Sequence, residues 1–372
     1  MKSGTHLRTV AVMLFALLAI AVQPSAWGQT FTTFDPPGSQ FASPVSINPA
    51  GQITGYYFDA NFAQHGFLRD AGGTITSFDV PDATFGMSPD FITPQGLIVG
   101  TYVDANFNAH PFLRAKDGTI TTFEIPSTGA ALARGLVANS VGAITGVFTD
   151  SNGNPHGFLR AASGKFTLFD FPSAYVELSF FPGAPPVPPS IVAMTPGETI
   201  LGSYFDLNGT IHGFLRTIDG TFTSFDAPNA ATGFFTGTSP NSINDSGIVT
   251  GLYFDTTMQT SGFPNLRVFL RASDGVFSSF DTPQLGTSLG TASINSSGAV
   301  AGNVVNFECP NFPFCTIVPI SFLRAANGTV SSVNDPKAVQ GTFVNGINPA
   351  GEIFGNYVDG NGVQHGFVEQ KH

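Results

Sequence analysis

Apolar residues in this chain come in short runs, cut at regular spacing by polar turn residues. The runs are rich in Phe, Tyr, Val, Ile and Thr and are bounded by Gly, Asn, Asp or Pro. That patterning predicts short β-strands and no long helices. Four markers recur in fixed order. The first is "FDxP", at Phe34-Asp35, Phe78-Asp79, Phe123-Glu124, Phe169-Asp170, Phe225-Asp226, Phe280-Asp281 and the degenerate Val333-Asn334. The second is "INPAG", clear at Ile47–Gly51 and Ile347–Gly351 and varied elsewhere. The third is "GYYFD", beginning at Gly55, Gly100, Gly146, Gly202, Gly251, Gly302 and Gly355. The fourth is "HGFLR" or its relic, with its Phe at 67, 112, 158, 214, 269, 322 and 367, so copies lie 45 to 56 residues apart.

Each copy supplies four strands, read in repeat one as "SIN", "ITGYYFD", "HGFLR" and "TITSFD". The Gly-containing turns between them suit antiparallel hairpins, and the Pro of "FDxP" ends its strand because it has no N–H to give the ladder. A four-stranded unit of this length leaves two apolar faces open, and radial packing of units covers both. The expected fold is therefore all-β: a seven-bladed β-propeller of four-stranded antiparallel blades in one domain over residues 29–372. Blades fall at about 44–80, 90–125, 134–171, 190–227, 241–282, 292–335 and 345–369 plus 30–35. The last blade lacks the fourth strand that the chain start, "FTTFD", has to spare. Pairing the two closes the ring and removes an open edge.

Residues 1–28 read as a secretory signal: basic Lys2 and Arg8, an uncharged apolar run from Val10 to Val22, and Ala26-Trp27-Gly28 before a cleavage site. The run is short for a membrane span. The expectation is a secreted or periplasmic protein with no stable membrane insertion. Loss of Lys2 and Arg8 takes the net charge from −11 to −13, which argues against phosphate-mediated binding of nucleic acid. In an exported chain, Cys309 and Cys315 of "ECPNFPFC" are expected to pair in a disulfide. The chain is expected to be a monomer without cofactor or metal.

The recurring His-Gly-Phe resembles the "HAF" tripeptide of the HAF-type bacterial extracellular repeat family, with Gly in place of Ala. The resemblance covers nearly all of the chain after the signal. It implies an exported, propeller-like repeat protein and brings no catalytic residues.

His65, His110, His156, His212 and His365 each follow an Asp by six residues. Ring symmetry would hold such histidines apart, so the expectation is an Asp-pinned hairpin with His bonded to backbone, not a metal site. Arg69, Arg114, Arg160, Arg216, Arg271 and Arg324 read as framework groups, with the "FD" acid of a neighbouring strand as the expected partner. "DSNGN" (Asp150–Asn154) and "DGNG" (Asp359–Gly362) lack the closing Glu of a calcium loop and read as turns. No motif of a hydrolase elbow, zinc protease, P-loop or dinucleotide site occurs.

Function is expected where the repeats differ. From the "FD" acid to the next turn Gly the spacings are 16, 17, 18, 27, 21, 17 and 17. Between second and third strands, repeats five and six are also long and have lost the His. These insertions should share one end of the ring, over blades three to six. They carry the candidate binding residues Tyr175, Phe180, Phe181, Phe234, Phe235, Phe263, Phe307, Phe312 and Phe314. The leading expectation is a binding or interaction module for carbohydrate, peptide or protein. The alternatives are an extracellular polysaccharide hydrolase or lyase, with Glu177 and Glu308 as the weak catalytic candidates, and a non-catalytic surface or matrix protein.

Overall fold

Four strands form in each repeat, from the residues that carry the four markers. The computed structural model describes residues 30–126, 134–176, 179, 187–258, 264–284, 286–311 and 314–370, and of 134, 258, 307–311 and 314–316 the backbone alone. The expected signal segment lies outside the described residues. Repeat one comprises Phe41–Ile47, Ile53–Phe58, Gln64–Arg69 and Ile75–Phe78, joined as an antiparallel meander. Repeats two to six repeat this order in four-stranded sheets of their own. Repeat seven runs Thr342–Ile347, Ile353–Val358 and Gln364–Gln370. Its third strand pairs antiparallel with Thr30–Phe34, from Thr30↔Gln370 to Phe34↔Gly366.

The fold is thus a β-propeller of four-stranded antiparallel blades. Its described hydrogen-bonded sheets are five of four strands and one of eight, not the seven separate sheets expected. The reason is local. Repeats seven and one touch edge to edge through a single parallel pair, Phe41↔Gln364, and Gln364 Nε2 donates to the Ala42 carbonyl at 2.8 Å.

The first strand of each repeat packs against the first strand of the next, and that of repeat seven against that of repeat one. Together they line a central cavity of about 450 Å3. A side-chain amide ties them. Asn48 donates to the Thr93 carbonyl, Asn139 to Thr195, Asn244 to Asn295 and Asn295 to Asn348, each at 3.1 Å. Asn348 donates in turn to the Asn48 carbonyl at 3.3 Å. The same Asn accepts from its own turn; Asn48 Oδ1 takes the N–H of Ala50 and Gln52. Thr93 and Thr195 occupy the same place and accept the turn N–H of Leu97 and Thr199, but a hydroxyl so engaged replaces the two-donor amide.

The "FD" Phe joins blades. A Cβ at Gly66, Gly213 or Gly366 would lie 2.4 to 2.6 Å from the ring of Phe78, Phe225 or Phe34, so the motif's Gly makes room for that ring within its own blade. The next repeat's Arg caps the same ring: Arg69 over Phe34 at 5.1 Å, Arg114 over Phe78 at 4.9 Å, Arg216 over Phe169 at 4.1 Å and Arg271 over Phe225 at 5.1 Å. The expected ion pair with the "FD" acid does not form. That acid lies at the opposite end of the blade, while the Arg stem is buried between blades. The motif's own Phe is fully buried, 0 to 1 % exposed in all repeats.

Because each amide link closes a buried donor onto a buried acceptor, Asn348→Ala is expected to cost about 1–3 kcal/mol, and Thr93→Asn, which supplies an absent donor, to gain about 0.5–1.5 kcal/mol. Urea unfolding midpoints check both; an unchanged Asn348→Ala midpoint would remove the amide ring from the account of stability.

Candidate functional site

Strand order divides the blade ends. The turns between second and third strands and the connections between repeats emerge on one face, and the Asn turns and the Arg ends on the other. On the first face each motif His lies between two carboxylates. His65 Nδ1 is 2.7 Å from Asp79, and its Nε2 3.7 Å from Asp59. His110 bridges Asp104 (3.1 Å) and Glu124 (3.4 Å), His156 bridges Asp170 (2.6 Å) and Asp150 (3.5 Å), and His212 bridges Asp226 (2.9 Å) and Asp206 (3.6 Å). His365 bridges Asp359 (3.5 Å) and Asp35 (3.0 Å), the latter on the chain's first strand. Each ring also lies against an aromatic of the second strand, as with Tyr57 and His65, whose centroids are 5.1 Å apart. The expectation of His bonded to backbone is therefore corrected: the partners are acids, because the "FD" acid ends the adjoining fourth strand beside it.

The Asp half of that expectation describes the turn. Asp59 Oδ1 accepts the N–H of Asn61 and Ala63 at 2.8 Å, and Asp104, Asp150, Asp206 and Asp359 do the same. These bonds, from Asn108 and Asn154 above all, push Asp104 and Asp150 down to about 2. His212 is held above its ordinary 6.5, chiefly by its bond to Asp226. Among the described residues no group of three or more His, Cys, Asp or Glu side chains is arranged to hold a metal ion.

Repeats five and six depart from this pattern. Arg267 takes the His place, 3.1 Å from Asp281 and 3.6 Å from Asp255. In repeat six the corresponding residues are Asn306, Ile320 and Asn334, so all three ionisable groups are gone together.

The turn frame has one free position. In "DxNG" its left-handed residue is Gly153, Gly209 or Gly362; in repeats one and two it is Phe62 (φ 62°) and Phe107 (φ 64°). Those rings are 82 % and 68 % exposed. Phe85, in the connection between repeats one and two, stacks on Phe107 at 4.1 Å. In the connection between repeats four and five, Phe234 and Phe235 are also exposed, with centroids 4.4 Å apart. Phe234 covers Gly209, where a Cβ would come within 2.4 Å of its ring, and Phe235 is left-handed (φ 59°) and lies against Phe205.

Of the candidates drawn from sequence, Phe234 and Phe235 thus lie exposed on this face. Tyr175 does not: it ends a short 3-10 turn, Ser173–Tyr175, and is 7 % exposed, stacked on Tyr204 at 3.8 Å and packed on Phe214. It belongs to the core between repeats three and four. Glu177, Phe180, Phe181, Phe263 and Phe312 lie outside the described residues. Phe307, Glu308, Cys309, Phe314 and Cys315 stand on the paired strands Val300–Asn311 and Phe314–Arg324. Cys309 and Cys315 each follow the Glu308↔Thr316 pair by one residue toward the hairpin tip. Phe62, Phe85 and Phe107 were not singled out from sequence; for Phe62 and Phe107 the signal was an aromatic in the Gly place of the "DxNG" turn.

No protein-family model matches the chain, and no curated protein matches it. Solved structures do. A streptogramin B lyase structure superposes with a TM-score of 0.57 at 14% identity, covering 92% of this chain and 98% of that one. A catalytically inactive variant of virginiamycin B lyase from Staphylococcus aureus with quinupristin gives 0.54 at 15%, covering 92% and 99%. An ancestral GH74 enzyme gives 0.53 at 10%, covering 92% of this chain and 51% of that one. At such identity these likenesses establish the fold alone: the chain is a β-propeller protein. No helix among the described residues is long and apolar enough to cross a membrane.

Two outcomes follow from this geometry. The raised His212 contributes stability fully below its unfolded value of 6.5 and loses it as pH rises through its higher folded value; the lowered Asp104 and Asp150 contribute above 3.8 and lose it as pH falls toward 2. Thermal stability should therefore be greatest between about pH 4 and 6.5 and decline toward pH 8, and His212→Gln should flatten that decline. A melting temperature that rises steadily from pH 5 to 8 would contradict the assignment. Separately, Phe62→Gly should raise the urea midpoint, by about 0.5–1 kcal/mol in stability, because it relieves a left-handed side chain that packs little.

Proposed function

We propose that this chain is an exported, seven-bladed β-propeller that acts as a monomeric binding module through the face carrying the second-to-third-strand turns. The seven-blade count treats the eight-stranded sheet as two blades, one of them completed by Thr30–Phe34. Seven first strands around one cavity and an amide chain that returns from Asn348 to Asn48 support it. Export rests on the expected signal at residues 1–28. A Cys309–Cys315 disulfide would stiffen the long hairpin of repeat six, on whose paired strands both cysteines stand, and reduce the ordering cost of binding.

One observation carries the binding reading. Large aromatic side chains stand exposed on this face in backbone conformations that favour Gly. Such placements cost folding free energy and recur where a surface is used. Phe62 and Phe107 sit on turns whose backbone is closed by Asp–amide bonds, so these two rings are held in place before a ligand arrives. The hydrolase or lyase alternative would rest on Glu177 and Glu308, and no observation of their side chains favours it.

A glycan and peptide array probed with the mature protein, and with a Phe234→Ser, Phe235→Asn double variant, tests the reading. The expected result is a defined set of binders, weakened at least about ten-fold in the variant, as loss of two aromatic anchors predicts. An array with no binder would end the binding-module reading.

A further inference from the structure

We propose that the sector of this face over repeats one and two is a docking site for a cationic peptide segment, with Phe62, Phe85 and Phe107 receiving Lys or Arg side chains. The proposal rests on the binding-module reading and specifies its ligand.

The site is built rather than incidental. Phe85 and Phe107 come from different elements, a connection and a turn, and stack nearly parallel, with 16° between planes. The connection is held by Phe85 N–H to the Val103 carbonyl and Val103 N–H to the Gly86 carbonyl, at 3.1 and 3.0 Å. The turn is held by Asp104, which accepts from Asn106 and Asn108. Phe62 occupies the same place one repeat earlier, so the two exposed rings recur at the repeat spacing. An extended ligand could meet both.

Charge selects the occupant. Asp59 and Asp104 open the two turns, Asp79 and Asp82 lie in the connection that carries Phe85, and Glu124 ends the fourth strand of repeat two. Asp79, Asp82 and Glu124 are exposed. The only basic side chains besides His in residues 30–126 are Arg69, Arg114 and Lys116. Both arginines are buried at the opposite blade end, and Lys116 lies in the turn beside Arg114 there. Among the described side chains, His65 and His110 are the only titratable cations facing this sector, and their full protonation would still leave it acidic. An aromatic face attracts cations through its ring quadrupole, and nearby carboxylates add to that attraction. A neutral glycan could stack on the same rings but would gain nothing from the excess acid. An anionic ligand would be repelled.

The test measures binding of fluorescein-labelled hexalysine and of cellohexaose to the mature protein, to a Phe62→Gly, Phe107→Gly double variant, and to Glu124→Gln with Asp82→Asn. Glycine is already native at this turn position in three repeats, so the first variant keeps the fold, which circular dichroism checks. Hexalysine is expected to bind, to weaken at least about ten-fold from 50 to 500 mM salt as screening requires, and to lose about three- to ten-fold in each variant. The Phe variant leaves net charge unchanged, so hexalysine binding that survives it reflects the acidic surface alone and overturns the proposal. Cellohexaose binding lost in the Phe variant, without hexalysine binding, also overturns it and leaves the binding-module reading standing with a glycan ligand. Binding of neither probe overturns the proposal, while the array result judges the module reading independently.

Discussion

The phenylalanine of "FD" is the joint on which the ring depends. In four blades it fills the space left by the Gly of "HGF", whereas Pro111 and Val268 stand in that place in repeats two and five; across the interface it lies beneath the guanidinium of the next repeat. One side chain thus couples the fourth strand to the third and each blade to its successor. That explains why Phe, Gly and Arg recur together although they are scattered along the repeat. The exception supports the logic. Repeat six carries Val333 in place of the Phe, and repeat seven, which would have capped it, carries Glu369 in place of the Arg. When the ring is absent, the cation that needs it is absent too.

Much of this was legible because it is periodic. Strand order, the repeat boundaries and the pairing of the chain start with the last repeat all follow from where four markers fall. Partner identities were less legible. His65 and its equivalents follow an Asp by six residues, which suggests the turn, but their second carboxylate lies fourteen residues later and is adjacent only once the fourth strand has folded back. Arg69 meets Phe34 only across the interface between blades. Tyr175 shows a different limit. It sits in an inserted segment of varied sequence, yet it is buried by stacking on Tyr204 and packing against Phe214, partners that lie in the next repeat and meet it only once the chain has folded.

The acidic face follows from the same architecture. A carboxylate at the end of the second strand and another at the end of the fourth flank the start of the third, and a hydrogen-bonding nitrogen group between them relieves their repulsion. His fills that place in five repeats and Arg267 in one. Repeat six has Asn306, Ile320 and Asn334, so the two acids and the cation have left as a set. Removing the central group alone would leave like charges facing each other, and removing the acids alone would leave its nitrogen atoms without these partners. The three are one electrostatic unit.

Against that constrained background, the left-handed position of the turn carries most meaning. Asp pins the turn by accepting two backbone N–H groups, and this bond pattern is the same whether the fourth residue is Gly153, Gly209, Gly362, Phe62 or Phe107. The framework therefore asks only for a residue that tolerates positive φ, and Gly does so at least cost. Phe meets the demand poorly and leaves a large apolar ring in water. The turn offers no reason for it, and neither does packing at Phe62, which is 82 % exposed; Phe107 gains only its stack on Phe85. Where local backbone preference, burial and solubility all favour one residue and the chain uses another in two adjacent repeats, the remaining constraint must come from outside the fold. At Phe62 and Phe107 the constraint we propose is contact with a ligand. The same reasoning separates these rings from the Phe of "HGFLR", whose burial accounts for its presence fully.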